Sequence, residues 1–274
     1  MKSIILIIFF SINFSIFGSS SDEWQIVQSY TKDGAIFENK ITISDSYIKI
    51  ENKYISINFE QKTNQMQIII LPVRTYWMGS IDEFNAELID YKTIIFGESS
   101  SHITELKKEQ FMQIIRLGGG RIQNDTIVFD TLIKNDNSVK KLKSNEKIAG
   151  KSSVKYQITN DGTLNASINM AEKLLKPYMA DLIKLSVLIE TIGNAINMEF
   201  SKSLSYLSYS KINGYPMRLI EFEADGTILL QEEVIVFTKK EYEDNHDNDF
   251  ILSTEFQKLS LVDLFISSKS ENQF

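Results

Sequence analysis

The chain has 274 residues, 43% of them hydrophobic, with three prolines, no cysteine and a net charge of −7 from 29 basic and 36 acidic residues. Lack of cysteine excludes disulfide staples, thiol chemistry and anchoring through a lipidated cysteine, so stability must come from packing, which a chain of this length can supply. The acidic balance, with no basic stretch interleaved with aromatics, argues against nucleic acid as a partner.

Residues 1–20 have the pattern of a cleavable export signal. Met1-Lys2 gives a small positive end, Ile4 to Phe10 is an unbroken apolar run, and Gly18 and Ser20 place small residues where a signal peptidase reads them. Cleavage after Ser20 leaves 21–274 as the mature chain. Polar Ser11, Asn13 and Ser15 leave the apolar run well short of the ~20 residues that cross a bilayer, so no transmembrane anchor is expected after cleavage.

The mature chain opens on strands. Ile41 and Ile43, Tyr47 to Glu51 and Tyr54 to Phe59 alternate apolar and polar residues with a period of two, and Trp24 to Tyr30 before them and Gln65 to Leu71 and Arg74 to Gly79 after them read as further short strands of one antiparallel meander. Asp33-Gly34, Ser44-Asp45, Asn52-Lys53 and Thr63-Asn64 fall between them as turns. Ile81 to Ile89 reads as a short helix, and Thr104 to Leu117 as helix or strand. Further strands are expected at Ile127 to Phe129, Val139 to Leu142, Ser153 to Thr159 and Thr163 to Met170, the last two joined through Asp161-Gly162. One long helix follows, from Met170 to about Ile192, with an apolar face of Leu174, Leu175, Tyr178, Leu182, Leu185, Leu188, Ile189 and Ile192; Pro177 opens its regular part and Gly193 ends it. Met217 to Glu223 and Ile228 to Thr238 form a hairpin across Asp225-Gly226, and Phe250 to Lys258 is a last extended piece. Strands, helix and strands without βαβ alternation give the fold class α+β, an antiparallel sheet carrying a helix. The expected organisation is a signal peptide at 1–20, one domain over 21–262 with 97–145 as an insertion, and a disordered tail at 263–274.

No catalytic motif survives inspection. His102 and His246 lie in separate polar loops without a nucleophile elbow. Gly150-Lys151-Ser152 lacks the first glycine of a phosphate loop, since position 145 is Asn145, and reads as a turn. The acidic run Glu241 to Asp249 has Asp249 where an EF-hand needs glycine, so no metal site is expected. Glu232 and Glu233 are neighbours on a strand, point to opposite faces and cannot act as a catalytic pair; they read as ordinary surface carboxylates.

Phe59 to Met66 followed by Thr75-Tyr76-Trp77-Met78-Gly79, then Lys147-Ile148-Ala149-Gly150 before Val154-Lys155-Tyr156, then the helix, Asn213-Gly214-Tyr215-Pro216-Met217-Arg218 and Glu232-Glu233-Val234 resemble a family of secreted bacterial proteins of unknown function, itself similar to the lipoprotein-carrier (LolA-like) half-barrels of the periplasm. The resemblance implies a curved antiparallel sheet, a half-barrel, wrapped around one main helix, with an apolar concavity that holds a lipid or other hydrophobic ligand. Tyr76, Trp77, Leu182, Leu185, Ile189 and Tyr215 would line it. It implies no catalytic residue, no cofactor and no metal, so a non-enzymatic periplasmic or secreted protein is expected. The alternative role is an envelope interaction module whose sheet edge or acidic 241–249 loop meets a partner protein.

Overall fold

A computed structural model describes residues 21–32, 35–87, 120–123, 126–129, 138–160, 162–196, 202–208, 212–242 and 254–268. The export signal of 1–20, the 104–117 segment, both histidines and the 243–249 part of the acidic loop lie outside them.

The first six strands are β1 (Ser21–Lys32), β2 (Ala35–Ile43), β3 (Tyr47–Glu51), β4 (Ile55–Glu60), β5 (Gln65–Ile70) and β6 (Thr75–Ser80). A helical turn α1 spans 81–87. A separate ribbon pairs β7 (Gly120–Gln123) with β8 (Thr126–Phe129). Then come β9 (Ser138–Ile148), β10 (Lys151–Asn160), β11 (Thr163–Ala171), α2 (Met179–Ile196), α3 (Lys202–Ser205), β12 (Tyr215–Phe222), β13 (Ile228–Tyr242), β14 (Gln257–Lys258) and α4 (Leu261–Ser267). Among the described residues twelve strands form one open sheet in the order β14-β6-β5-β4-β3-β2-β1-β13-β12-β11-β10-β9. Every pairing in it is antiparallel except β14 with β6. The α+β class read from the sequence is therefore observed as a large, mostly antiparallel sheet with few helices.

Sequence order explains this topology. Short polar turns make β1 to β6 a meander, and β9 to β11 a second one. β13 then returns along β1, from Ser21 opposite Tyr242 to Thr31 opposite Gln231, and joins the two halves. The turn between β9 and β10 has positive φ at both central residues, 45° at Ala149 and 74° at Gly150, the conformation that closes a two-residue hairpin with the right twist. The turn reading of Gly150-Lys151-Ser152 follows from that geometry.

Period-two alternation puts Ile48 and Ile50 of β3, Ile55, Ile57 and Phe59 of β4, and Met66, Ile68 and Ile70 of β5 on one face, where all are buried. They form one continuous cluster with Ile26 of β1, with Ile168, Met170 and Leu219 of the other half and with Leu182, Leu185, Ile189 and Ile192 of α2. On the other face Ser56, Asn58 and Gln67 are also buried and share hydrogen bonds of 3.2 and 3.0 Å.

Three sequence expectations are corrected. The helix does not begin at Met170: β11 runs through Ala171, a 3-10 turn spans Lys176–Tyr178 with Pro177 near its start, and α2 begins at Met179. Nor does Gly193 end it, since α2 continues to Ile196, where a glycine costs only about 1 kcal/mol. The tail is not disordered from 263. Ser260 caps α4 through its hydroxyl, which accepts from the Asp263 N–H at 3.3 Å, and Leu261, Val262, Leu264 and Phe265 are buried.

Candidate functional site

The side chains expected to line an apolar concavity divide into two groups. Trp77, Leu182, Leu185, Ile189 and Tyr215 all belong to the single core cluster, none more than 3% exposed. Leu182, Leu185 and Ile189 recur at three- and four-residue spacing and so make one stripe of α2. Trp77 meets Phe84 of α1 edge-on, ring centres 5.6 Å apart, and Tyr215 meets Phe237 of β13 the same way at 6.1 Å. Tyr76 does not join them: it pairs with Ile69 and faces the opposite side of the sheet from Trp77, half-buried. Adjacent strand residues cannot share a face, so Tyr76 is removed from the lining.

Within the apolar interior lies a polar cluster that sequence reasoning missed. Glu232 is 1% exposed, not a surface carboxylate; only Glu233 is partly open, accepting from Arg218 Nε at 2.7 Å. The Glu232 carboxylate accepts from the Ser203 N–H at 2.9 Å and the Ser203 hydroxyl at 3.1 Å, so it holds the start of α3 against β13. Gln28 of β1 donates to the same hydroxyl at 3.1 Å, while its Oε1 has no hydrogen-bond partner among the described residues. The Tyr215 hydroxyl has none there either, and burial, reinforced by the negative charge of Glu232, pushes its pKa far up. Nearby, Tyr206 donates to Glu221 at 2.9 Å. Alternation alone could say that one of Glu232 and Glu233 faces the core. It could not say which.

Clefts open at the surface, two of them lined by described residues of the β9 edge and of β6. One, of about 530 Å³, is lined by Val139, Lys141, Tyr156, Glu172 and Asn213. There Lys141 Nζ and the Tyr156 hydroxyl both donate to one oxygen of Glu172 at 2.5 Å. Lys141 first, then Tyr156, holds the Glu172 carboxyl below its usual range; burial, with the Glu172 carboxylate adding to it, raises the Tyr156 phenol. The other, of about 560 Å³, lies between Trp77, Met78, Gly79, Glu83, Glu87 and the segment Lys258 to Ser260. Glu87 there accepts from Trp77 Nε1 and from the Leu261 N–H, each at 2.8 Å, which fastens the start of α4 to β6. Among the described residues no three His, Asp or Glu side chains are placed to hold a metal ion, and no helix is long and apolar enough to cross a membrane.

No protein-family model matches the chain, and no curated protein matches it. Several solved structures resemble its fold. An uncharacterized conserved protein from Thermus thermophilus aligns at a TM-score of 0.39 and 6% identity, over 88% of this chain and 91% of that one. MucB in the MucA/MucB complex of Pseudomonas aeruginosa aligns at 0.34 and 8%, over 87% of this chain; the chain spans 58% of that protein's length. A LolA superfamily protein from Nitrosomonas europaea aligns at 0.22 and 8%, over 82% and 88%. The lipoprotein-carrier group to which the sequence motifs pointed is thus among the structural neighbours. TM-scores this low carry no inference about function.

Proposed function

We propose that residues 1–20 export the chain to the periplasm or beyond, and that the mature protein is a non-catalytic binder of a hydrophobic chain held between the sheet and α2. One observation supports this reading above others: the apolar face of the sheet and the stripe of α2 form one continuous lining. Trp77 of β6 and Tyr215 of β12 belong to the same cluster although β5, β4, β3, β2, β1 and β13 lie between their strands. A flat sheet of twelve strands would be roughly 55 Å wide. An 18-residue helix is about 27 Å long and about 10 Å across. A sheet curled around that helix, as in the half-barrel expected from the sequence, would bring both ends of the apolar face within its reach.

In this conformation α2 itself fills the groove. A bound alkyl chain would take the place of part of its stripe, gaining about 0.8 kcal/mol for each methylene buried. The polar links of the 3-10 turn and α3 to the sheet, Tyr178 to Asp45 in the β2–β3 turn at 2.6 Å and Ser203 to the buried Glu232 of β13, would then serve as the hinges about which the helix shifts. Native mass spectrometry and solvent extraction of the gently purified protein, with titration of a fluorescent long-chain fatty acid, test the reading. Co-purifying lipid or saturable probe binding is expected. If both are absent, the interior is only a core and the reading fails.

A further inference from the structure

We propose that the β9 edge of the sheet is a docking surface for an anionic membrane, presenting a row of lysine ammonium groups to lipid phosphates. Residues 138–160, which form β9 and β10, contain six lysines and the single acid Glu146, a net of +5 in a chain whose total is −7. The remainder of the chain therefore carries −12. This charge is at the end of the sheet, because β9 is its terminal strand among the described residues.

Its lysines are available. Lys140, Lys143 and Lys147 are exposed and make no ion pair among the described residues. Two others are committed: Lys141 to Glu172, and Lys151 to the faces of Trp24 and Phe237, whose ring centres lie 5.9 and 5.2 Å away. Only Val139, Leu142 and Ile148 of the strand are shielded. An eleven-residue strand is about 36 Å long, and Lys140, opposite Gln157, and Lys147, opposite Ser152, flank its edge from the two faces, so the charges line the edge and form no pocket.

The geometry chooses between a surface and an added strand. Tyr156 pairs with Lys141 while Val154 pairs with Asn145, so 142–144 bulge opposite Lys155 alone. A bulge with outward lysines blocks regular strand addition, so an extended acidic peptide finds no continuous ladder to join. Ammonium groups act as point charges on phosphate and need no such register. The acidic remainder does not cancel the attraction, because charges farther than the ~8 Å screening length at physiological salt contribute little.

The test is co-sedimentation of the exported chain, as recovered from the cell, with vesicles containing phosphatidylglycerol and with vesicles of phosphatidylcholine alone. Binding to the anionic vesicles only is expected, and it should fall steeply as salt rises from ~50 to ~500 mM. Each lysine at an anionic surface is worth about fivefold in partitioning, so Lys140→Glu, Lys143→Glu and Lys147→Glu together should weaken it at least about a hundredfold. Lys62→Glu, in the turn between β4 and β5, should change little. Should the triple reversal fail to fold by circular dichroism, the glutamine triple, expected to lose about a hundredfold, replaces it. Equal binding to neutral vesicles, indifference to the triple variant, or capture of polyglutamate without any vesicle binding would each overturn the proposal. None of these outcomes depends on whether the interior binds a hydrophobic chain.

Discussion

Replacing Glu232 by alanine removes the acceptor of two hydrogen bonds from Ser203, at 2.9 and 3.1 Å, in a position 1% exposed. The Ser203 N–H is then left in the interior without that partner, Gln28 keeps only a displaced hydroxyl to donate to, and a void of about four heavy atoms opens. Hydrogen bonds to a charged group contribute ~1.5–3 kcal/mol each, and a void of this size adds ~1 kcal/mol, so the loss should be about 4–7 kcal/mol. Glutamine preserves the shape and one acceptor oxygen, and should cost only about 1–2 kcal/mol. Urea unfolding followed by tryptophan fluorescence measures both, provided the slopes agree between variants. An alanine variant within about 1 kcal/mol of the parent, or a glutamine variant as damaged as the alanine one, would show that Glu232 does not hold α3 in the way described.

Gly79→Ala should destabilise by about 1–3 kcal/mol and shift Trp77 emission, because the new Cβ would come within 2.7 Å of the Trp77 ring. Tyr178→Phe should lower stability at neutral pH by about 1 kcal/mol through loss of the 2.6 Å bond to Asp45. Burial, then Asp45, raise the Tyr178 phenol above its ordinary value of 10, so its contribution is complete below about pH 10 and is lost as pH rises toward the folded-state value. Urea midpoints measured across alkaline pH should therefore decline less steeply in the phenylalanine variant. Glu87→Ala should free the start of α4 by cutting its bonds to Trp77 and Leu261, read as faster amide exchange over 261–267 with β3 and β4 unchanged.

The meander of β1 to β6 was legible because each strand has one clearly apolar face, as in Tyr47 to Glu51 and Ile55 to Glu60, with polar turns between them. The boundaries of α2 were not. Leu174 and Leu175 continue its apolar spacing into the turn that precedes it, and Leu175 adopts a positive φ of 54° that no pattern announces. Gly193 would stop an isolated helix, but packing of Leu188, Ile189 and Ile192 outweighs its propensity. The terminal helix had a readable signal in Ser260 followed three residues on by Asp263, among Leu261, Val262, Leu264 and Phe265, a capping arrangement hidden by its closeness to the chain end. Of the candidate lining, the α2 stripe could be read from spacing, Trp77 came only from the family resemblance, and the period-two rule separates Tyr76 from it. The Glu232 cluster could not be read, because Gln28 and Ser203 lie 175 positions apart and only the return of β13 beside β1 brings them together.

Photolabelling tests the central claim most directly: an alkyl chain carrying a photoreactive group is bound to the exported protein, irradiated, and the labelled peptides are mapped. Saturable labelling within 182–192 and 215–219, suppressed by excess unlabelled fatty acid, is the expected result. Labelling confined to the exposed apolar positions Ile228, Leu229, Ile235 and Val236, and not competed by fatty acid, would show that the interior is closed and contradict the account.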